Sequence, residues 1–96
     1  DLTHQRGLWE GVLNGTVDVM GSDHAPHTLE EKSLPYPQSP SGMPGVQTMV
    51  PLMLNHVAEG KISLEKVISL LTLGPRRIFK IKNKGILKLG ADADFT

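Results

Sequence analysis

The sequence predicts an α/β fold, in which helices alternate with the strands of a parallel sheet. One observation is a short apolar run at residues 17–20, which directly follows an amphipathic helical segment and is typical of a buried parallel strand. A second is the polar cluster at residues 21–28, where that strand would end. A helix, a short turn and a strand that ends in polar residues form half of an alternating α/β pattern.

The N-terminal helix is indicated by apolar residues that fall roughly on one face. Thr3 is a candidate N-cap, and Gly15 is a candidate C-terminal stop. The apolar face consists of Leu2, Leu8, Trp9, Val12 and Leu13.

Residues 28–44 contain four prolines and predict a long loop without regular structure. Loops of this length are uncommon in compact domains and are often lids or binding loops. A surface linker is the alternative. The position of the loop, directly after the polar cluster, favours a role at a site.

The second half of the chain predicts three helices and an exposed strand. Residues 46–59 form a broad apolar face, in which Pro51 either kinks the helix or marks the first turn of a helix that starts later. Ser63 is a candidate N-cap of the next helix, and Pro75 can start a third, short one. Residues 85–90 alternate weakly and predict an exposed strand before a turn.

Composition excludes several functional classes. The 96 residues carry ten basic and ten acidic side chains, and no long run of one sign favours nucleic acid or a membrane surface. Cysteine is absent, which removes disulfides and thiolate metal sites and fits a reducing, cytoplasmic location. No signal-peptide pattern opens the chain. Because the chain lacks an initiator Met and stops abruptly at Thr96, we expect an internal part of a longer protein.

The strongest candidates for catalysis or ligand binding are Asp23, His24 and His27. Asp23 at the end of a buried strand can ligate a metal or accept a proton, although it could also cap the following turn. His27 follows Pro26 and could bind a ligand or metal at the mouth of the site, or be a solvated loop residue. We expect His24 to point away from Asp23 and either to support the residues that contact the ligand or to have a packing role.

Two other features are weaker candidates. The glycine-bearing turn at residues 42–45 precedes a helix and could offer backbone N–H groups to carboxylate or carbonyl oxygens, or be an ordinary turn. A zinc site needs three or four ligands from rigid elements, so Asp23 and His27 cannot complete one. We assign no function to His4, His56 or the basic pair Arg76 and Arg77.

Taken together, the motifs resemble those of dihydroorotases, which are members of the amidohydrolase superfamily. The most specific motif is Asp-His-Ala-Pro-His-Thr at residues 23–28. Further similar segments follow in order at residues 41–48, 51–54, 74–79, 84–86 and 90–95. The departures are Gln47, Gly74 and Arg76, where the family usually has Glu, Asn and Ala. None of them touches the first motif.

The resemblance implies a C-terminal portion of a (β/α)8 TIM barrel, with its last strand and helices, leading into a small β domain. Residues 1–80 would belong to the metal-dependent hydrolase barrel, and residues 81–96 would begin the return into a small β-sandwich domain. The strand at residues 17–20 would be the eighth barrel strand. Asp23 would then lie at the end of the barrel where such enzymes keep their catalytic groups.

The resemblance also implies the chemistry of the site. One or two zinc ions would activate a water for attack on a cyclic amide, and Asp23 would contact the metal and carry the proton to the leaving nitrogen. Ala25 and His27 would hold the substrate carboxylate or carbonyls, and the backbone of Ser41 and Gly42 would touch the ring. The reaction would be the reversible interconversion of dihydroorotate and N-carbamoyl-aspartate in pyrimidine biosynthesis.

The family's other metal ligands and substrate-gripping residues would lie upstream, so we expect the isolated 96-residue chain to be inactive and to bind zinc poorly. Other cyclic amidohydrolases, namely a hydantoinase, a dihydropyrimidinase or an allantoinase, are the closest rivals. A cation or donor at His27 favours a substrate that bears a carboxylate. Another rival is an inactive, dihydroorotase-like scaffold subunit of aspartate transcarbamoylase. A homodimer or an association with that enzyme is the expected assembly.

Overall fold

The computed structural model describes all 96 residues, and its regular structure consists of five helices. They are α1 (Leu2–Asn14), α2 (Leu29–Lys32), α3 (Met49–Ala58), α4 (Leu64–Leu71) and α5 (Leu73–Ile78). The only β-type pairing is an isolated parallel bridge between His24 and Met43. None of the helices is long and apolar enough to cross a membrane.

Helix α1 begins two residues earlier than the candidate cap suggested. The carboxylate of Asp1 accepts a hydrogen bond from the backbone N–H of Thr3 at 2.8 Å, so Asp1 is the N-cap and the prediction of Thr3 was wrong. The predicted stop is confirmed, because Gly15 follows the helix in the left-handed conformation, with φ of 91°.

Residues 17–20 are not paired as a strand, which corrects the sequence prediction. Their backbone groups bond to helices instead: Val17 donates to the carbonyl of Gly11 at 2.9 Å, and Met20 donates to the carbonyl of Leu70 at 3.2 Å. A parallel strand exists only beside a neighbouring strand, and these 96 residues supply none. For the same reason residues 85–90 form turns and bends rather than the predicted exposed strand.

The segment at residues 17–20 lies against the junction between α4 and α5. Gly74 is buried there, and an added Cβ would overlap the carbonyl oxygen of Asp18, so no larger residue fits without movement of the backbone. Arg77 forms an ion pair with the carboxylate of Asp18. The chain therefore approaches this junction backbone to backbone at Gly74, where the resemblance led us to expect Asn.

Helices α3 and α4 form the core. Met53, Ile62, Val67 and Leu70 are the buried apolar residues, and side chains from α1 and from residues 17–20 pack around them. The predicted cap of α4 is confirmed, because the hydroxyl of Ser63 accepts from the N–H of Lys66 at 3.2 Å.

The two prolines inside helices, Pro51 and Pro75, lie in first turns, where a missing N–H costs nothing. Helix α3 starts at Met49 rather than at residue 46, which places Pro51 in its first turn and confirms that alternative over a kink. Helix α5 starts at Leu73, two residues before Pro75.

Much apolar surface remains exposed. The accessible surface is 7815 Å², whereas a self-contained protein of 10.4 kDa would expose about 5,400 Å². The radius of gyration is 16.7 Å, against about 12.5 Å for a compact domain of this length. Twenty large apolar side chains are exposed. The chain thus exposes more large apolar side chains than the four that it buries.

Candidate functional site

The polar cluster at residues 21–28 is followed at once by a short helix that the sequence analysis missed. The hydroxyl of Thr28 accepts from the N–H of Glu31 at 3.2 Å, and the carboxylate of Glu31 accepts from the N–H of Thr28 at 2.8 Å. This reciprocal pair is a capping box, which starts α2. The prediction of a loop without regular structure over residues 28–44 was therefore wrong in its first part. The Thr-x-x-Glu spacing was the signal that could have revealed the helix.

Asp23 lies at the point where the chain turns out of the extended segment. Its backbone is left-handed, with φ of 46°, a conformation that non-glycine residues seldom adopt and that is enriched at functional sites. Its carboxylate is exposed and makes no hydrogen bond or ion pair within the chain. The alternative role, capping the following turn, is not realised, because the N–H of Ala25 donates to the carbonyl of Met43 instead.

Two segments far apart in the sequence meet beside Asp23. The N–H of Ala25 donates to the carbonyl of Met43 at 3.1 Å, and residues 24 and 43 form the parallel bridge. The structure thereby brings together Ala25 and Gly42, which were both predicted to bind substrate. The N–H of Ala25 is used in this pairing, so only its carbonyl is free for a ligand.

The close approach of these segments depends on two glycines. A Cβ added to Gly42 would lie 2.6 Å from the Cβ of Ala25, and the φ of Gly42 is 100°. A Cβ added to Gly45 would lie 3.1 Å from the Cβ of Ser22. Side chains at either position would push the segments apart.

His24 joins the same two segments through its side chain. Its Nδ1 accepts from the N–H of Gly45 at 3.0 Å and from the N–H of Val46 at 3.3 Å. Of the two roles expected for His24, these hydrogen bonds favour support of the site over apolar packing. These contacts also change the interpretation of the turn at residues 42–45: the N–H of Gly45 is engaged by the imidazole and does not point to a ligand.

The backbone N–H groups that remain available are those of Ser41 and Gly42. Neither donates a hydrogen bond within the chain, and both residues are exposed. Unpaired donors beside a free carboxylate can bind the oxygen atoms of an anionic or carbonyl-bearing ligand. The free donors thus lie at the start of the turn at residues 42–45, and the donor at its end is engaged by His24.

His27 lies one residue before the cap of α2 and faces Glu31. Its Nδ1 is 3.5 Å from Oε2 of Glu31, and its side chain retains 27% of its exposure. The pKa of the Glu31 carboxyl is lowered, first by the N–H of Thr28 and also by the neighbouring His27. The Nε2 of His27 makes no hydrogen bond within the chain, so a ring that carries hydrogens on both nitrogens can face Glu31 through Nδ1 and donate to a ligand from Nε2.

These 96 residues do not form a metal centre by themselves. No group of three His, Asp or Glu side chains is placed to hold a cation. Asp23 offers one free carboxylate, whereas a tetrahedral zinc site needs three or four ligands. Any metal at this site would need ligands from other polypeptide.

Comparison with known proteins gives consistent matches over nearly the whole chain. The family model described as the amidohydrolase family matches residues 3–96. A dihydroorotase of Pyrococcus abyssi is 45% identical over 95 residues, which cover 99% of this chain and 22% of that protein. A dihydroorotase of Halobacterium salinarum is 39% identical over 90 residues, covering 94% of this chain and 21% of its own length. One from Anoxybacillus flavithermus is 44% identical over 92 residues, 95% of this chain and 21% of that protein. The chain therefore spans about a fifth of the length of these curated relatives.

Proposed function

The chain belongs to the amidohydrolase family, and from that premise we propose that it is part of a zinc-dependent dihydroorotase. The parent protein would interconvert dihydroorotate and N-carbamoyl-aspartate in pyrimidine biosynthesis. Relatives named dihydroorotase are 39% and 45% identical to this chain, which supports dihydroorotase activity over the activities of other members of the family. Membership of the family implies a TIM-barrel-type fold.

We propose that residues 1–80 complete such a barrel and that residues 81–96 begin a small β domain. The unpaired segment at residues 17–20 would become the eighth strand when neighbouring strands lie beside it. The large exposed apolar surface supports this, because helices of a barrel bury those faces against strands and adjacent helices. The isolated chain would accordingly be inactive.

The observation that carries the functional proposal is the pairing of residues 22–25 with residues 42–46 beside the free carboxylate of Asp23. The left-handed backbone of Asp23 costs free energy, and such strained residues are concentrated at functional sites. The pairing places backbone donors and the Ala25 carbonyl on segments adjacent to it. A carboxylate beside polar backbone groups suits proton transfer to and from a bound amide.

In the proposed hydrolysis of dihydroorotate, Asp23 is the general base and then the general acid. Its carboxylate accepts a proton from the water whose oxygen attacks the ring carbonyl carbon. It then delivers that proton to the ring nitrogen as the carbon–nitrogen bond breaks, so no net proton remains on the residue. Ring closure uses the same steps in reverse.

Zinc would supply polarisation of the carbonyl and a lowered pKa for the attacking water. We propose that Asp23 contributes one oxygen ligand to one or two zinc ions. The remaining ligands would come from polypeptide outside these 96 residues, since the chain itself offers no complete set.

The substrate's own groups match the free atoms of the site. We propose that His27, with hydrogens on both ring nitrogens, donates from Nε2 to the substrate carboxylate while Glu31 orients the ring through Nδ1. The free N–H groups of Ser41 and Gly42 would donate to carbonyl oxygens, and the free carbonyl of Ala25 would accept from a ring N–H.

The test is a comparison of substrates with the full-length parent protein. We expect kcat/KM for dihydroorotate to exceed that for hydantoin and allantoin. A preference for a neutral ring would instead indicate a hydantoinase, dihydropyrimidinase or allantoinase. Absence of turnover with every ring would favour an inactive scaffold subunit, and co-purification with aspartate transcarbamoylase would distinguish that role from a homodimeric enzyme.

Substitution of the carboxylate tests its role within the same assay. We expect Asp23→Asn to lower kcat about 10²- to 10⁴-fold, the range typical of a lost acid–base group. Glu30→Gln removes an exposed carboxylate nearby on α2 and is the matched control, with kcat unchanged. Wild-type turnover by Asp23→Asn would contradict the proposal.

A further inference from the structure

We propose that His24 is a positioning residue, which holds the substrate loop (residues 41–46) against the segment that carries Asp23 and Ala25. This inference rests on the proposed function for its kinetic consequence, and on hydrogen-bond geometry for its structural one. His24 contributes no group to the reaction itself. It acts through the loop whose backbone donors face the ligand.

The two hydrogen bonds of His24 dominate the attachment of the substrate loop. Three hydrogen bonds join it to the segment at residues 22–25, and two of them end on Nδ1 of His24. The third is the backbone bond from Ala25 to Met43. Apolar packing adds little, because Met43 is 69% exposed and Val46 is 65% exposed.

The chemistry of the ring fits this role. Both partners of Nδ1 are N–H donors, so Nδ1 carries a lone pair and the neutral ring carries its hydrogen on Nε2. One nitrogen thereby orders two consecutive peptide groups. Those peptides lie three and four residues after Gly42. Because Gly42 turns the chain in a left-handed conformation, fixing those peptides also fixes the position of the N–H groups of Ser41 and Gly42.

Loss of the Nδ1 acceptor should affect binding more than chemistry. The free donors of the substrate loop would no longer be fixed, whereas Asp23 lies on the other segment and keeps its carboxylate. The expected signature is therefore a rise in KM that exceeds any fall in kcat. A residue that merely supports folding would lower the yield of active protein and leave KM unchanged.

Three variants of the full-length protein separate these possibilities. His24→Ala removes the acceptor. His24→Asn replaces it with a carbonyl oxygen at nearly the position of Nδ1, and His24→Gln places the same group one bond too far. We expect KM for dihydroorotate to rise about tenfold in His24→Ala and His24→Gln, as two lost hydrogen bonds predict. His24→Asn should stay within about threefold of the wild type. Equal KM values for His24→Asn and His24→Ala, or an unchanged KM in His24→Ala, would overturn the proposal.

Amide hydrogen exchange gives a readout that does not depend on activity. We expect the amides of Gly45 and Val46 to exchange faster in His24→Ala and His24→Gln than in the wild type and His24→Asn. If the wild-type protein turns over no cyclic amide, the proposed function fails, and exchange alone then decides whether His24 holds the loop. Unchanged exchange in His24→Ala would refute the proposal.

The wild-type protein supplies a final measurement in case the variants do not fold. The ¹⁵N spectrum of the His24 ring should show an unprotonated Nδ1 and a protonated Nε2. A protonated Nδ1 in the neutral ring could not accept from Gly45 and Val46, and would contradict the assignment.

Discussion

The helical core and the candidate site are held together by different forces. In the core, α3 and α4 bury apolar side chains, and Val67 and Leu70 each retain only 2% of their exposure. At the site, residues 22–25 and the substrate loop contain no buried residue and meet through three hydrogen bonds and two glycine contacts. The core tolerates small shifts of its side chains, whereas the site depends on where individual backbone atoms lie.

This difference separates residues that stabilise the fold from residues that shape the ligand's surroundings. Apolar burial is large and non-directional, so it stabilises a helix pair without fixing the position of an N–H group to a few tenths of an ångström. Hydrogen bonds and close backbone approach are directional and contribute less free energy. Substitutions in the two regions should therefore change different measured quantities.

The largest effect on stability is expected at Leu70. Leu70→Ala should lower the free energy of unfolding of the full-length protein by about 2–5 kcal/mol, because it leaves a cavity among Met53, Val67 and their neighbours. Glu65→Ala on the same helix is the matched control, because Glu65 is an exposed polar residue whose truncation leaves no cavity in the core. Urea unfolding measures both. Equal losses would show that the core is not where we place it, and KM should be unchanged in each folded variant.

An intermediate effect on stability is expected at Gly42, where KM should change as well, in contrast to Leu70. Gly42→Ala places a Cβ 2.6 Å from the Cβ of Ala25 at a φ of 100°, so we expect a loss of stability of about 1–3 kcal/mol. A rise in KM should accompany that loss. Gly21→Ala is the control, because nothing lies within 4 Å of its added Cβ. A wild-type KM in Gly42→Ala would mean that the close approach does not position the ligand.

The smallest effect is expected from an exposed charge cluster at the end of α3, which contains none of the buried core residues and none of the site residues. The pKa of Glu59 is lowered from 4.5 to about 2, first by its hydrogen bond to Lys61 and then by one to His56. Because the folded pKa lies below the unfolded one, this contribution is present above pH 4.5 and is lost as the pH falls towards 2.

The thermal midpoints of the wild type and Glu59→Gln, compared between pH 6 and pH 2, measure that contribution. The thermal midpoints of the two proteins should differ slightly near pH 6 and become equal near pH 2. A constant difference would show that the carboxylate of Glu59 is not the source. Because the Glu59 side chain is 43% exposed, salt should also reduce the difference.

Features set by neighbours in the sequence were predictable. The C-terminal stop at Gly15 and the N-cap at Ser63 follow from local chemistry, and the structure confirms both. Helix α2 was equally predictable from the spacing of Thr28 and Glu31, but the prolines that follow led us to expect only loop. The wrong N-cap at Thr3 arose because Asp1, at the start of the chain, is an equally good acceptor.

Features set by distant residues were not predictable from pattern. His24 bonds to amides 21 and 22 residues away, and no local spacing signals that contact. Residues 23–28 could be recognised as a candidate site because titratable side chains cluster there. The prediction that Ser41 and Gly42 belong to the same site came only from the family resemblance. Residues 17–20 have the composition of a buried strand, yet strand pairing requires partners that these 96 residues do not contain.

The most direct test of the central claim is the position of the Asp23 carboxylate in a crystal structure of the full-length protein, with anomalous scattering recorded at the zinc edge. We predict a zinc ion about 2.0–2.2 Å from a carboxylate oxygen of Asp23, with its other ligands donated from elsewhere in the protein. A carboxylate that faces bulk solvent, with no anomalous peak in contact with it, would contradict the account.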